Sequence, residues 1–117
     1  MSIEDLRAQI RDFVDARDWS QFHTPRSLLL ALTGEVGELS EIFQWTNDSA
    51  MTTEWIEEHR EDFSDELADV FIYLIRLSDV LDVDLTQAAV DKIKRNEERY
   101  PAKLARGNAK KYTQLGD

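Results

Sequence analysis

A chain of 117 residues is long enough for one domain with a buried core, and the absence of cysteine excludes disulfides and thiolate metal sites. Its formal net charge of −10 argues against a surface that binds nucleic acid. No apolar run approaches the roughly 18 residues of a membrane span, and the acidic start from Met1 to Asp5 is unlike a signal peptide. We therefore expect a soluble, cytoplasmic protein without membrane partners.

Apolar residues recur at intervals of three and four along most of the chain, which predicts helices, and no segment alternates with the period of a strand. Capping residues and breakers set the expected bounds. The predicted helices run from Ser2 to about Arg17, from Thr24-Pro25 to about Trp45, from a cap at Thr53 to residue 80 or 81 with room for a break at 60–63, and from Asp84 to residue 99 or 100.

Pro101 ends the fourth predicted helix, because proline cannot continue a helix. We interpret residues 1–101 as the helical body and residues 102–117 as a basic C-terminal tail of the same domain. Four helices with short connections predict an all-α protomer built as an antiparallel four-helix bundle, an architecture whose core often holds metal sites.

Two pairs of acidic residues lie on helix faces that are otherwise apolar. Glu35 and Glu38 form one pair, and Glu66 and Asp69 form another after 27 intervening residues. Burying a carboxylate is costly unless it is paired, and four inward acids would raise one another's pKa. Bound Mg²⁺ would cancel that repulsion and take further ligands from phosphate oxygens. The pattern predicts a Mg²⁺ site, with Mn²⁺ as a substitute ion, unless the acids only flank the core.

Other polar and aromatic residues have the chemistry to complete a nucleotide site. Lys92, Asn96 and Arg99 share one face of the fourth helix, where they would either bind phosphate or face solvent. Trp19 and Trp45 lie at the ends of apolar segments and would either stack on a base or pack at a rim. No Glu-x-x-His motif occurs, which disfavours a carboxylate-bridged iron site.

An ordered set of segments closely resembles one known family. The segments are Arg17–His23, Leu28–Leu32 leading into Glu35–Leu39, Phe43–Trp45, Glu66–Leu74, Lys92 with Asn96, Arg99–Pro101 and Lys111–Thr113, which together span about residues 13–115. This set is similar to the MazG-like all-α nucleoside triphosphate pyrophosphohydrolases, and in particular to their dCTP-cleaving members.

The resemblance implies a Mg²⁺-dependent hydrolase that cuts the α–β linkage of dCTP or a modified dCTP, giving the monophosphate and pyrophosphate. By position in the sequence it assigns Glu35, Glu38, Glu66 and Asp69 to the metal, and Trp19, His23, Trp45, Tyr73, Lys92, Asn96 and Arg99 to the substrate. Ile10 stands where the family has a pocket histidine, which weakens the assignment of cytosine but not the reaction class. The resemblance also implies a homo-oligomer, either a dimer or a tetramer built from dimers.

Two catalytic roles follow from these positions. Glu38, at the edge of the apolar stripe, is expected to accept the proton of the attacking water, and Lys92 is expected to steady the leaving pyrophosphate. Two other interpretations stay open: a broad-specificity (d)NTP pyrophosphatase that removes damaged nucleotides, and a non-catalytic helical interaction module. The second of these requires the four carboxylates to face solvent.

Overall fold

The computed structural model describes residues 1–107, 109 and 113. Its helices are α1 (Ile3–Ala16), α2 (Pro25–Phe43), α3 (Thr53–Val80), α4 (Leu85–Arg99) and the one-turn α5 (Ala102–Ala105), with short 3-10 turns at Ser20–Phe22 and Asp48–Ala50. No strand occurs among these residues, so the predicted all-α class is confirmed. The remaining residues of the predicted tail, including Lys110, Lys111 and Tyr112, lie outside the described part of the chain.

Short polar side chains begin the four long helices by accepting hydrogen bonds from backbone N–H groups that lack a partner within the helix. The caps are Ser2, which forms a reciprocal capping box with Asp5, then Thr24, Thr52 and Asp84. The predicted cap at Thr53 is therefore wrong by one residue, because Thr52 accepts the hydrogen bond from Trp55 N. Helix α3 continues through residues 60–63, where the sequence allowed a break.

Residues 1–83 form one compact unit in which α2 and α1 both pack on α3. The direction of α2 against α3 follows from ring contacts, since Phe43 at the end of α2 lies against Trp55 and Phe63 near the start of α3. The two helices are therefore antiparallel. Ile10 and Val14 of α1 meet Ile75 of α3 in the buried core.

A second unit begins at Asp84, and its described helices are α4 and α5. The four-helix bundle and the boundary at residue 101 remain predictions. Among the described helices, none is both long enough and apolar enough to cross a membrane.

A network of ion pairs fixes α1 to the C-terminal half of α3. The Asp79 carboxylate accepts a hydrogen bond from Arg11 Nε at 3.1 Å and a second from Arg11 Nη2, and Arg76 Nη1 lies 3.4 Å away. Both the Asp79 and Arg76 side chains are largely buried. The hydrogen bonds from Arg11 lower the pKa of Asp79, although burial acts in the opposite direction.

We expect Asp79→Asn to lower the free energy of unfolding at pH 7 by about 3 kcal/mol, because it leaves buried Arg76 without its acidic partner. The lowered pKa of Asp79 means that this contribution is present above about pH 4 and is lost as the pH falls through the folded-state value. The variant should therefore lose less stability than the wild type between pH 5 and pH 2. Urea unfolding across that pH range measures both effects. Asp82→Asn, at an exposed position nearby, should match the wild type.

Candidate metal and nucleotide site

The antiparallel packing of α2 on α3 brings three carboxylates together. Glu35 and Glu38 of α2 and Glu66 of α3 each offer one oxygen, and these oxygens all lie within 4.8 Å of one another. The stacked rings of Phe43 and Phe63, 6.1 Å apart, fix the register of the two helices beside them. The i, i+3 spacing on α2 places Glu35 and Glu38 on one side of the helix. The cluster therefore follows directly from the helix pairing.

Two of the carboxylates have an oxygen that is buried and unpaired. Oε2 of Glu35 and Oε2 of Glu66 have no hydrogen-bond partner among the described residues. Burial, followed by repulsion from Glu38 and Asp69, raises the pKa of Glu35 to about 7. Burial and Glu38 also raise the pKa of Glu66. A buried anion without a donor is costly, so these residues fit a hard divalent cation that takes oxygen ligands.

An open space lies beside the cluster. Its volume is about 470 Å³, and its walls include Glu38 and Glu66 together with Glu41, Asp62 and Asp65. Mg²⁺ usually keeps several of its waters when it binds to protein carboxylates. The space is large enough for those waters, which is a second respect in which the residues fit the ion.

Asp69, the fourth predicted ligand, lies one turn after Glu66 and is exposed. It lies outside the group of three whose oxygens meet, but its charge raises the pKa of both Glu35 and Glu66. It also lines an apolar cavity between α1 and α3. Asp69 is thus close to both the acidic cluster and the cavity.

The apolar cavity has a volume of about 430 Å³, within the range of small-molecule sites. Ile10 and Phe13 of α1 form part of its apolar wall, and Trp19 and Tyr73 contribute aromatic rings. The Trp19 ring meets the Phe13 ring edge-on at 5.7 Å. A cavity of this size with aromatic walls fits a planar nucleobase.

The structure brings together three of the residues assigned to the substrate, since Trp19, His23 and Tyr73 all line this cavity. Trp45, which was also assigned to the substrate, is 87% exposed just after the end of α2 and is not among the residues that line the cavity. Arg76 also lines the cavity and was missed by the sequence analysis. The feature of the sequence that could have indicated Arg76 is its position as the one charged residue in the apolar run from Val70 to Leu77.

Lys92, Asn96 and Arg99 lie on exposed positions of α4, in the second unit. Their spacing of four and three residues keeps them on one face of that helix. Their role in holding phosphate remains a prediction.

These features define an all-α protein in which two antiparallel helices present a carboxylate cluster suited to a divalent cation, next to a cavity that fits a nucleobase. The model of the MazG-like family matches residues 31–115. The chain belongs to this family, which confirms the resemblance seen in the sequence.

Curated relatives give a finer comparison. The chain is 49% identical over 115 residues to mouse dCTP pyrophosphatase 1 and 48% identical to the human protein of that name, covering 97% of this chain and 68% of each relative. Among solved structures, it is similar to a pyrophosphatase from Archaeoglobus fulgidus, with a TM-score of 0.79 and 41% identity over 84% of this chain and 91% of the other.

Proposed function

We propose that the protein is a Mg²⁺-dependent nucleoside triphosphate pyrophosphohydrolase that cuts the α–β linkage of dCTP or a modified dCTP, and that it thereby removes unwanted nucleotides from the pool. The observation that carries the proposal is the cluster of Glu35, Glu38 and Glu66, which includes two buried oxygens without a partner. Asp69 connects this cluster to a cavity that fits a nucleobase. The names of the curated relatives support the choice of substrate.

Each part of the site has a distinct task in this reaction. Glu35, Glu38, Glu66 and Asp69 would hold the metal, which when bound neutralises phosphate charge and lowers the pKa of a coordinated water. Glu38 is the exposed member of the three clustered carboxylates, so it can accept the proton of the attacking water.

The remaining tasks are to bind the substrate's two ends. Trp19 and Tyr73 would hold the base against the apolar wall of the cavity. Lys92, Asn96 and Arg99 would contact phosphate oxygens, and Lys92 would steady the leaving pyrophosphate.

We also propose that protomers assemble into a dimer or a tetramer in the cytoplasm. Large apolar side chains on α2 and α3 are exposed in the single chain, among them Leu29, Leu30, Leu67 and Phe71. We propose that these side chains form an apolar patch that a second protomer covers. In such an assembly Trp45, which is 87% exposed and does not line the cavity, would be available to contact a second protomer.

The product of dCTP hydrolysis tests the proposed reaction. With Mg²⁺ present, we expect dCMP and pyrophosphate to form in equal amounts. Phosphorus NMR measures both products. Water labelled with ¹⁸O should place the label on one of the two products and so identify the phosphorus that is attacked. Formation of dCDP and orthophosphate would contradict cleavage at the α–β linkage, and no turnover of any triphosphate would contradict the enzyme itself.

A broad-specificity (d)NTP pyrophosphatase is the second candidate, because apolar Ile10 lines the cavity and supplies no hydrogen bond to a base. Relative kcat/KM for dCTP, 5-methyl-dCTP, dUTP and dATP separates the two. Similar values for all four would favour the broad enzyme. A non-catalytic module is less consistent with the structure, because it requires Glu35 and Glu66 to face solvent and each has a buried oxygen.

A further inference from the structure

Arg76, a buried arginine, contacts His23 at the apolar cavity that both side chains line. Arg76 is 8% exposed, and its Nε donates a hydrogen bond to Nδ1 of His23 at 3.1 Å. Both side chains line the cavity. A guanidinium group has donors and no acceptor, so Nδ1 of His23 must be the unprotonated acceptor in this pair. A neutral imidazole with Nδ1 unprotonated carries its proton on Nε2.

Arg76 is itself held from other directions. Its Nη1 lies 3.4 Å from Asp79, which is also bound by Arg11, and its Nη2 lies 3.5 Å from the Ser20 hydroxyl. The guanidinium group is thus held by Asp79 through Nη1 and by Ser20 through Nη2, and its Nε is directed at His23. Burial, together with the Arg76 charge, lowers the pKa of His23, which agrees with a neutral ring.

We propose that Arg76 is a positioning residue that holds His23 in the tautomer with its proton on Nε2, so that the cavity recognises a nucleobase by a hydrogen-bond acceptor on its edge. The acceptor is a carbonyl oxygen or an unprotonated ring nitrogen. This inference rests on the proposed function, because it assumes that the cavity holds the base. Nε2 has no hydrogen-bond partner in the described part of the chain, which leaves its proton for a ligand.

The energetic consequence is selectivity against bases without a suitable acceptor. The ring cannot turn its acceptor nitrogen toward the ligand without breaking its hydrogen bond with buried Arg76. A ligand without an acceptor therefore leaves the Nε2–H group of His23 unpaired in an apolar cavity. Binding of that ligand removes water from Nε2–H without replacing the lost hydrogen bond, so it is weaker.

His59 supplies an internal control. Its Nδ1 lies 2.8 Å from the backbone carbonyl oxygen of Trp55, and a carbonyl only accepts. The proton of neutral His59 must therefore be on Nδ1, the opposite tautomer from His23. The sequence contains two histidines, so one spectrum compares the two rings without overlap from others.

Long-range ¹H–¹⁵N spectra of protein labelled at histidine nitrogen identify each tautomer, with His59→Gln to assign the signals. We expect His23 to be protonated on Nε2 and His59 on Nδ1. In Arg76→Met the His23 Nδ1 signal should move toward the averaged position of an unrestricted ring while the His59 signals stay in place, which also reports that the variant is folded. Ser20→Ala, which keeps the Arg76 Nε contact, should retain the wild-type His23 signals. Protonated Nδ1 on His23 in the wild type would overturn the inference.

Substrate analogues test the consequence for recognition. One is 3-deaza-dCTP, which lacks the ring-nitrogen acceptor, and the other is the triphosphate of a 2-aminopyridine C-nucleoside, which lacks the 2-carbonyl. We expect kcat/KM for at least one of them to fall about 10- to 100-fold below that for dCTP. The discrimination should largely disappear in His23→Phe and decrease in Arg76→Met, with the change appearing mainly in KM.

Equal kcat/KM for dCTP and both analogues in the wild type would overturn the inference and leave the proposed reaction intact. If no triphosphate is hydrolysed, the proposed reaction fails, and binding of the three nucleotides decides the recognition separately. In that case dCTP should shift the His23 Nε2–H signal, and the analogue that lacks the recognised acceptor should not. No shift with any of them would overturn the inference as well.

Discussion

Replacing Glu66 by glutamine should reduce the rate of pyrophosphate release by about 10²- to 10³-fold while the protein stays folded. Glu66 contributes one of the three carboxylate oxygens that lie within 4.8 Å of one another, and its Oε2 is buried without a partner among the described residues. An amide has nearly the same shape but no charge, so the variant loses the electrostatic attraction for a cation and little packing. Steady-state assays of pyrophosphate release at saturating Mg²⁺ measure the loss.

The stability of the same variant separates a catalytic effect from misfolding. Because Glu66 lies among Glu35, Glu38 and Asp69, whose charges repel one another, its neutralisation should raise the melting temperature in metal-free buffer or leave it unchanged. Glu61→Gln makes the same chemical change at an exposed position on α3 and should retain full activity. Near wild-type turnover by Glu66→Gln would contradict the proposed metal site.

Helical periodicity was sufficient to predict the acidic cluster but not its detailed form. The spacing placed Glu35, Glu38 and Glu66 on the apolar faces of two predicted helices, which have to pack together if those faces are buried. In the structure the three carboxylates do meet. Which oxygens become buried depends on how closely α2 approaches α3 at each turn, and periodicity carries no information on that distance. Asp69 illustrates this limit, because its side chain lies outside the group of three and instead lines the neighbouring cavity.

Residues whose partners are distant in sequence were the least predictable. In the sequence Arg76 is a single charged residue within an apolar helix. Its partners His23 and Ser20 lie more than fifty positions away, so only the folded structure identifies them. The prediction of the N-cap of α3 was wrong for a different reason. Thr52 and Thr53 are chemically equivalent caps, and only the backbone geometry selects Thr52. The exposure of Trp45 likewise depends on the end of α2 at Phe43, two residues before the predicted end.

Mg²⁺ should raise the melting temperature of the wild type, and its removal by a chelator should abolish turnover. An ion that binds only the folded state stabilises it by mass action, by about 2.7 kcal/mol at a concentration one hundred times its Kd. For a chain of 117 residues that corresponds to a shift of about 11 °C. The physical source is the relief of repulsion at Glu35 and Glu66, whose buried oxygens gain a ligand. Differential scanning calorimetry with and without MgCl₂ measures the shift.

The control for this measurement must separate specific binding from general screening, because the chain has a formal net charge of −10 and any salt reduces its self-repulsion. NaCl at matched ionic strength gives the screening contribution, and the Mg²⁺ shift in the wild type should exceed it. In Glu35→Gln the Mg²⁺ shift should fall to the NaCl value, whereas Glu61→Gln should keep the full Mg²⁺ shift. Equal shifts in Glu35→Gln and the wild type would show that the ion stabilises the protein from somewhere other than this carboxylate cluster.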